Sequence, residues 1–155
     1  MKYYLLSLIV IVSLAGCASP GGEEATARQA LSEFFGYLNS AEYDKAVALY
    51  GGDYLMLREW NPEMDLQNYA GLLENGCRIN GLQCLKIRSA TLKDQYLDIF
   101  IFSVEFNNPD GTLFTRGPCC GADATQQPPE SQFGVRVQKT LDGKYLVLDL
   151  PVYLP

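Results

Sequence analysis

The sequence contains no histidine among its 155 residues, and this absence removes several chemistries at once. Histidine is the commonest general base near neutral pH, the usual activator of a nucleophilic side chain and the commonest metal ligand. A hydrolase triad and a typical zinc site therefore do not fit this chain. A phosphate-cradling loop is missing too, because Gly71 and Gly76 lie in the wrong spacing and context for one. We expect no metal and no other cofactor.

Positive charge is also scarce, with twelve basic residues against eighteen acidic ones. If Lys2 is lost with a signal peptide, eleven basic residues remain and the net charge becomes −7. Such a surface repels phosphate groups. We therefore expect no nucleic acid as a partner, and no broad electrostatic adhesion to anionic lipid.

No hydrophobic run is long enough to span a bilayer, because the apolar segment from Leu5 to Leu14 has ten residues where a membrane helix needs about 20. Lys2 before this segment and small residues after it form the pattern of a secretory signal. The four residues from Leu14 to Cys17 resemble the lipobox of bacterial lipoproteins. In that family the cysteine receives a diacylglyceryl group, the peptide is cut before it, and the new amino terminus is usually acylated.

The lipobox resemblance implies a division of the chain into three parts. Residues 1–16 would be the signal peptide, residues 17–22 the lipidated amino terminus with a flexible tether, and residues 23–155 a single globular domain. The protein would be exported and anchored to the cell membrane through lipid on Cys17, in the outer membrane if the host has two. The alternative is an ordinary signal peptide with an unmodified cysteine.

Four cysteines remain once Cys17 carries lipid, and an exported domain with an even number is expected to form disulfides. Pairing Cys77 with Cys84 closes a short loop worth roughly 2.5 kcal/mol, but it leaves Cys119 and Cys120 to form a strained vicinal ring or stay free. Pairing across the two segments closes longer loops, each worth about 4 kcal/mol, and satisfies all four sulfurs. We therefore favour the cross-linked pattern.

Hydrophobic periodicity changes from helical to alternating near Leu85. Helical spacing indicates three helices, over about 23–38, 41–50 and 65–73. Alternation indicates strands over 85–89, 96–106, 112–116, 133–138 and 145–150. The order predicts an α+β fold, with N-terminal helices on one face of a curved antiparallel sheet of four to five strands. Because the middle of the second strand, Ile99 to Phe102, is apolar at every position, we expect it to be central and covered on both faces.

Three segments carry a resemblance to a known superfamily: Ala30 to Phe35, Tyr43 to Tyr50 and Asp142 to Asp149. With them the chain resembles the nuclear-transport-factor-like cone-shaped domains, which include ketosteroid isomerase and scytalone dehydratase. Cystatin-like folds are the alternative. The resemblance implies an apolar pocket between a helix and a strongly bent sheet. No catalytic motif matches residue by residue, so the enzymes' activity does not carry over, and we assign no catalytic residue.

The candidate ligand site is the concave face of that sheet. Alternate residues of one strand share a face, so Phe100, Phe102, Val104 and Phe106 would form an apolar lining. Asp98 and Arg136 would supply polar contacts that orient a ligand. Asp98 and Asp149 are also the only candidates for a pocket acid, although a strand carboxylate is more often solvated or paired with an arginine.

Three classes of function fit these observations. The first is a membrane-tethered binding or interaction module for a small apolar ligand or an envelope protein. The second is a structural or interaction lipoprotein of the envelope with a filled core and no pocket. The third is a small isomerase-like or dehydratase-like enzyme that uses a pocket carboxylate. A cavity with a buried carboxylate would favour the third class, an apolar cavity the first, and a filled core the second.

Overall fold

Helices come first in the chain and strands last. The computed structural model describes residues 20–155, so the predicted signal peptide and Cys17 lie outside the described residues. The helices are α1 (Pro20–Asn39), α2 (Tyr43–Val47), α3 (Leu55–Trp60) and α4 (Tyr69–Arg78). The strands are β1 (Lys86–Tyr96), β2 (Ile99–Asn107), β3 (Phe133–Lys139) and β4 (Tyr145–Val147). The predicted α+β class, with helices on an antiparallel sheet, is confirmed.

The sheet is an open antiparallel meander in the order β1-β2-β3-β4. The pairing of β1 with β2 shifts register twice, between Ile87 and Ser89 and between Leu92 and Asp94. Such bulges increase the local twist of a strand. At the other edge, Tyr50 forms a parallel bridge with Val147 and thereby joins the helical half of the chain to β4.

Strand β2 is central, as its apolar sequence predicts, but only one of its faces is covered. Phe100 and Phe102 are at most 1% exposed beneath the helices, whereas Ile99 and Ile101 on the other face are only partly buried. Buried residues from all four helices join the core on the first face. The prediction of cover on both faces is wrong, because this single helical layer packs on one side. We name that side the covered face and the other the open face.

Helix α1 lies across the covered face and fills it. Its buried residues recur at spacings of three and four, which places them on one stripe of the helix. They are Ala27, Ala30, Leu31, Phe34, Phe35 and Leu38. The Phe35 ring lies 5.0 Å from that of Phe106 on β2, and the Phe34 ring stacks on Tyr50 at 5.7 Å. Helix and sheet are thus in direct contact along the strand that was expected to line a pocket.

Several boundaries differ from the sequence prediction. Pro20 to Gly22, which the predicted tether over 17–22 includes, belong to α1. The segment 112–116 is not a strand and makes only the isolated bridges Asn107–Leu113 and Arg116–Glu130, because β1 and β3 already occupy both edges of β2. The predicted strand over 96–106 is interrupted by a turn at Leu97 and Asp98.

Helix α3 was not predicted. It has six residues, and its first flanking residue, Tyr54, makes no side-chain capping bond. The Asp53 carboxylate accepts the Leu55 N–H at 3.0 Å instead, one residue earlier than the usual capping position. Trp60 ends this helix instead of lying in a loop. It is half-buried, and its ring lies 4.9 Å from Tyr153.

Candidate functional site

The predicted ligand lining is part of the hydrophobic core. Phe100, Phe102, Val104 and Phe106 lie on one face, as expected, but each is at most 1% exposed. The guanidinium of Arg28, on α1, lies 5.4 Å from the centre of the Phe102 ring and covers it. No ligand can reach these side chains unless α1 moves away, so their assignment as a binding surface is corrected to a packing role.

The two predicted polar contacts lie elsewhere and do not meet. Asp98 is exposed in the turn between β1 and β2, where its carbonyl accepts a hydrogen bond from the Lys139 backbone N–H at 2.7 Å. Arg136 lies on the open face and forms a two-pronged ion pair with Asp149, with Nη2 to Oδ1 at 2.6 Å and Nε to Oδ2 at 3.1 Å. This hydrogen-bonded carboxylate raises the pKa of Arg136. Asp149 is therefore paired with an arginine, which is the ordinary alternative to a catalytic role for this carboxylate.

No carboxylate is buried in the part of the chain that the structure describes. A surface groove of about 670 Å³ lies between α2 and the start of α4. Its polar wall includes Glu42 and Lys45, which pair with each other, and Glu74. Without a desolvated acid, this groove lacks what raises the pKa of a catalytic carboxyl group.

Residues 20–155 contain one disulfide, between Cys77 in the last turn of α4 and Cys84 just before β1, with Cα atoms 5.5 Å apart. The favoured cross-linked pattern is wrong. The chain turns back at Gly81, whose φ of +84° suits glycine, and the Gly81 carbonyl accepts the Leu154 N–H at 3.0 Å. This turn, which the C-terminal segment also holds through the hydrogen bond from Gln83 N–H to the Val152 carbonyl at 2.7 Å, brings the two cysteines together.

Cys119 and Cys120 are both free thiols. They lie in the loop between β2 and β3, and their Sγ atoms are 2.9 Å apart. Cys120 is exposed, and its thiol donates to Cys119 Sγ, which raises the pKa of Cys120. The sequence placed these residues among the disulfides, but it did not reveal that they form a separate pair, with Cys119 half-buried and Cys120 exposed.

A second feature that sequence reasoning missed is an apolar patch at one end of the sheet, which we name the tip end. It comprises the β1–β2 turn, the β3–β4 turn and the start of α1, which an ion pair between Glu23 and Lys139 holds there. Its exposed apolar side chains are Tyr96 at 70%, Leu97 at 76% and Leu141 at 108% exposure. Leucine is unfavourable at both turns, because its apolar side chain stays in water and does not gain the free energy of burial.

Leu97 carries an additional cost, because its φ is +53°. This left-handed conformation is a genuine outlier for a bulky residue, and asparagine or glycine would adopt it more readily. A turn selected for folding alone would not place leucine there. The sequence signal that could have revealed the patch is an apolar residue at the apex of each hairpin.

The opposite end of the sheet, which we name the far end, carries the loop over 108–132 and the disulfide. Helix α1 reaches it at Asn39, whose side chain donates to the Cys84 carbonyl at 3.1 Å. Trp60 belongs to this end as well, since its partner Tyr153 bridges to Leu82. The first described residue and the free thiols therefore lie at opposite ends of one helix and sheet.

No protein-family model matches the chain, and a search of curated proteins finds no match. Across residues 20–155, none of the helices combines the length and the hydrophobicity needed to cross a membrane.

Proposed function

We propose that this protein is an exported lipoprotein, anchored through Cys17, that acts through its surface and not through a pocket. The observation that carries the second half is the filled core, in which the aromatic residues expected to line a cavity pack against α1. By the criterion set from the sequence, a filled core favours an envelope interaction or structural lipoprotein. The absence of a buried carboxylate from residues 20–155 gives the enzyme alternative no support.

The position of α1 supports the proposed anchor. The helix begins at Pro20, so Ala18 and Ser19 alone separate it from Cys17 in the sequence. The three peptide links from Cys17 to Pro20 span at most about 11 Å when fully extended. A lipid on Cys17 would therefore hold the tip end against the bilayer.

The tip end has the chemistry of a surface that rests in the outer part of a bilayer. Leu97 and Leu141 project from neighbouring turns, which the hydrogen bond from Lys139 to Asp98 keeps side by side. Burying one leucine in an apolar environment is worth roughly 1.5–3 kcal/mol. Contact with lipid would offset both the exposure of the leucines and the left-handed conformation of Leu97, because a leucine that is unfavourable in water becomes favourable in contact with lipid. Tyr96 adds an amphipathic ring suited to the interface.

The anchor is tested by expressing the wild-type protein and Cys17→Ala in a bacterium and following incorporation of labelled fatty acid and membrane fractionation. We expect label and membrane association for the wild-type protein. The variant should incorporate no label and should be released or remain unprocessed. An exported wild-type protein that lacks lipid and begins elsewhere would overturn the proposal.

The orientation is tested separately, by tryptophan fluorescence in vesicles that contain brominated phospholipid, which quenches indoles at the bilayer. We expect strong quenching of the indole that Leu97→Trp introduces in a Trp60→Phe background. The matched control is Ile79→Trp in the same background, because Ile79 is 73% exposed beside Trp60 at the far end. Equal quenching at both positions would refute the orientation while leaving the lipid anchor intact.

A further inference from the structure

The two free thiols are placed for reaction with each other. Their Sγ atoms, 2.9 Å apart, would need to approach by less than about 1 Å to reach the 2.05 Å of a disulfide. The Cys120 thiol donates to Cys119 Sγ, so Cys119 is the acceptor of the pair. We take Cys119 as the sulfur that attacks first and Cys120 as the one that resolves.

The backbone holds the pair in a defined turn. Cys120 and Gly121 both have positive φ, of 60° and 88°, and the Ala122 N–H donates to the Cys119 carbonyl at 3.0 Å. Positive φ at both central residues is typical of a type I′ turn, in which residues other than glycine, asparagine and aspartate are uncommon at the first central position. The turn therefore keeps the two adjacent side chains together in a sparsely populated backbone conformation.

The surrounding loop is ordered by its own hydrogen bonds. Gln127 Oε1 accepts the Cys119 N–H at 3.0 Å, and Asp123 caps the turn that follows. At the base, Arg116 and Glu130 exchange both backbone hydrogen bonds, at 2.8 and 2.9 Å, and their side chains form an ion pair. The pairing of Arg116 with Glu130 thus closes the base of the loop that carries the two thiols at the far end.

Within residues 20–155, the structure offers these thiols no other free cysteine and no metal cluster as a partner. Cys77 and Cys84 are already bonded to each other. Residues 20–155 contain no cluster of three or more side chains able to hold a metal ion, and two sulfurs supply only half of a tetrahedral site. A disulfide between neighbours is itself strained, because adjacent Cα atoms lie about 3.8 Å apart, below the usual range for a disulfide. Strained and exposed disulfides are the readily reduced ones.

We propose that Cys119 and Cys120 form a redox-active site that exchanges electrons with low-molecular-weight disulfides and thiols. The Cys119 thiolate attacks one sulfur of the incoming disulfide, breaks its S–S bond and releases the first thiolate. Cys120 then loses its proton and attacks Cys119 Sγ, which releases the second. The protein thiols lose two electrons and two protons, and the incoming disulfide gains them as two thiols. This site goes beyond the proposed lipoprotein function and does not depend on it.

The test is redox titration of the full-length protein in glutathione buffers, followed by acid quenching, alkylation, tryptic digestion and mass spectrometry. Cleavage after Arg116 and Arg136 gives one peptide, 117–136, that carries both thiols. Cys77 and Cys84 fall on the separate peptides 59–78 and 79–86 and serve as an internal control.

We expect peptide 117–136 to change reversibly from a doubly alkylated form to an unalkylated form two hydrogens lighter, while Cys77–Cys84 stays linked. Thiols that stay alkylated in every buffer, a link to Cys77, Cys84 or a second molecule, or glutathione on both sulfurs would each overturn the proposal.

Cys120→Ser tests the assigned order, and folding is not at risk because residue 120 is exposed. Without the resolving sulfur, the mixed disulfide of Cys119 with glutathione should accumulate at least about tenfold above the wild-type level, because intramolecular attack normally outpaces intermolecular attack. Equal accumulation in the two proteins would show that the ring does not close in the wild type, and would reject the site.

Discussion

The covered and open faces of the sheet differ in burial, although strand β2 contributes residues to both. Phe102 and Ile101 are neighbours in an unbroken apolar run, yet the first is fully buried and the second is partly exposed. Across the ladder, Ile101 lies opposite Arg136 and Asp94. Hydrophobicity made both residues candidates for a core, and the position of the helical layer chose between them. The two pairs of cysteines differ in a comparable way, because Cys77 and Cys84 pack against the core whereas Cys120 is exposed in a loop.

The largest effect expected is on unfolding of Phe102→Ala. Removing a fully buried aromatic ring should lower the free energy of unfolding by roughly 3–5 kcal/mol, because it leaves a cavity beneath α1. Ile101→Ala, the matched change on the open face, should cost about 1 kcal/mol or less. Chemical denaturation of both variants measures the contrast. Similar losses would mean that something covers the open face in solution.

The disulfide gives the next largest effect. Replacing both Cys77 and Cys84 with serine should cost roughly 2.5 kcal/mol, the chain entropy of a short closed loop. The corresponding double replacement of Cys119 and Cys120 should change stability by no more than about 0.5 kcal/mol, because those thiols lie in an exposed loop. Thermal unfolding without reductant compares the two. A larger loss for the second pair would instead indicate that it has a structural role.

The smallest expected effect concerns a buried hydroxyl group that has no hydrogen-bond partner. The Tyr54 hydroxyl is buried without a hydrogen-bond partner, whereas Tyr50 donates to the Asp53 carbonyl at 2.9 Å. Tyr54→Phe should therefore stabilise the protein by about 1 kcal/mol at pH 7, and Tyr50→Phe should destabilise it by about as much. Urea denaturation at pH 7 gives both values. A loss of stability in Tyr54→Phe would reveal a partner for that hydroxyl.

Alkaline pH sharpens the Tyr54 comparison. Burial raises the pKa of Tyr54 to about 12, above the ordinary value near 10 that the unfolded chain retains. The stabilisation from keeping this hydroxyl neutral is complete below pH 10 and is lost as the pH rises toward 12, because the unfolded state ionises first. Stability of Tyr54→Phe should decline less steeply over that interval. Parallel curves for variant and wild type would contradict the assignment.

Sequence reasoning succeeded where local pattern and packing agree. The stripe of α1 and the alternation of β3 were both found, because a helix or strand must repeat its apolar residues at a fixed period to bury them. Sequence reasoning failed where strand pairing decides the structure. It counted 112–116 as a strand and missed the turn that separates β1 from β2, since Leu97 hides that turn.

The candidate site was foreseen only in part. The shared face of Phe100, Phe102 and Val104 follows from strand geometry, but whether that face is a pocket depends on how closely α1 approaches it. No pattern of residues encodes that distance. The tip-end patch and the reactive pair were missed for a related reason, because exposure is a property of the assembled chain.

The sequence by itself determined the absence of histidine chemistry, the acidic charge, the lipobox-like segment and the α+β order, because these depend on residue type and on spacing along one segment. Tertiary structure alone decided the rest. It filled the expected pocket with the side chains of α1, left the other face of β2 open and joined Cys77 to Cys84. It also placed the start of α1 and the free thiols at opposite ends. Each of these outcomes depends on contacts between residues far apart in the chain, which packing and hydrogen bonding select together.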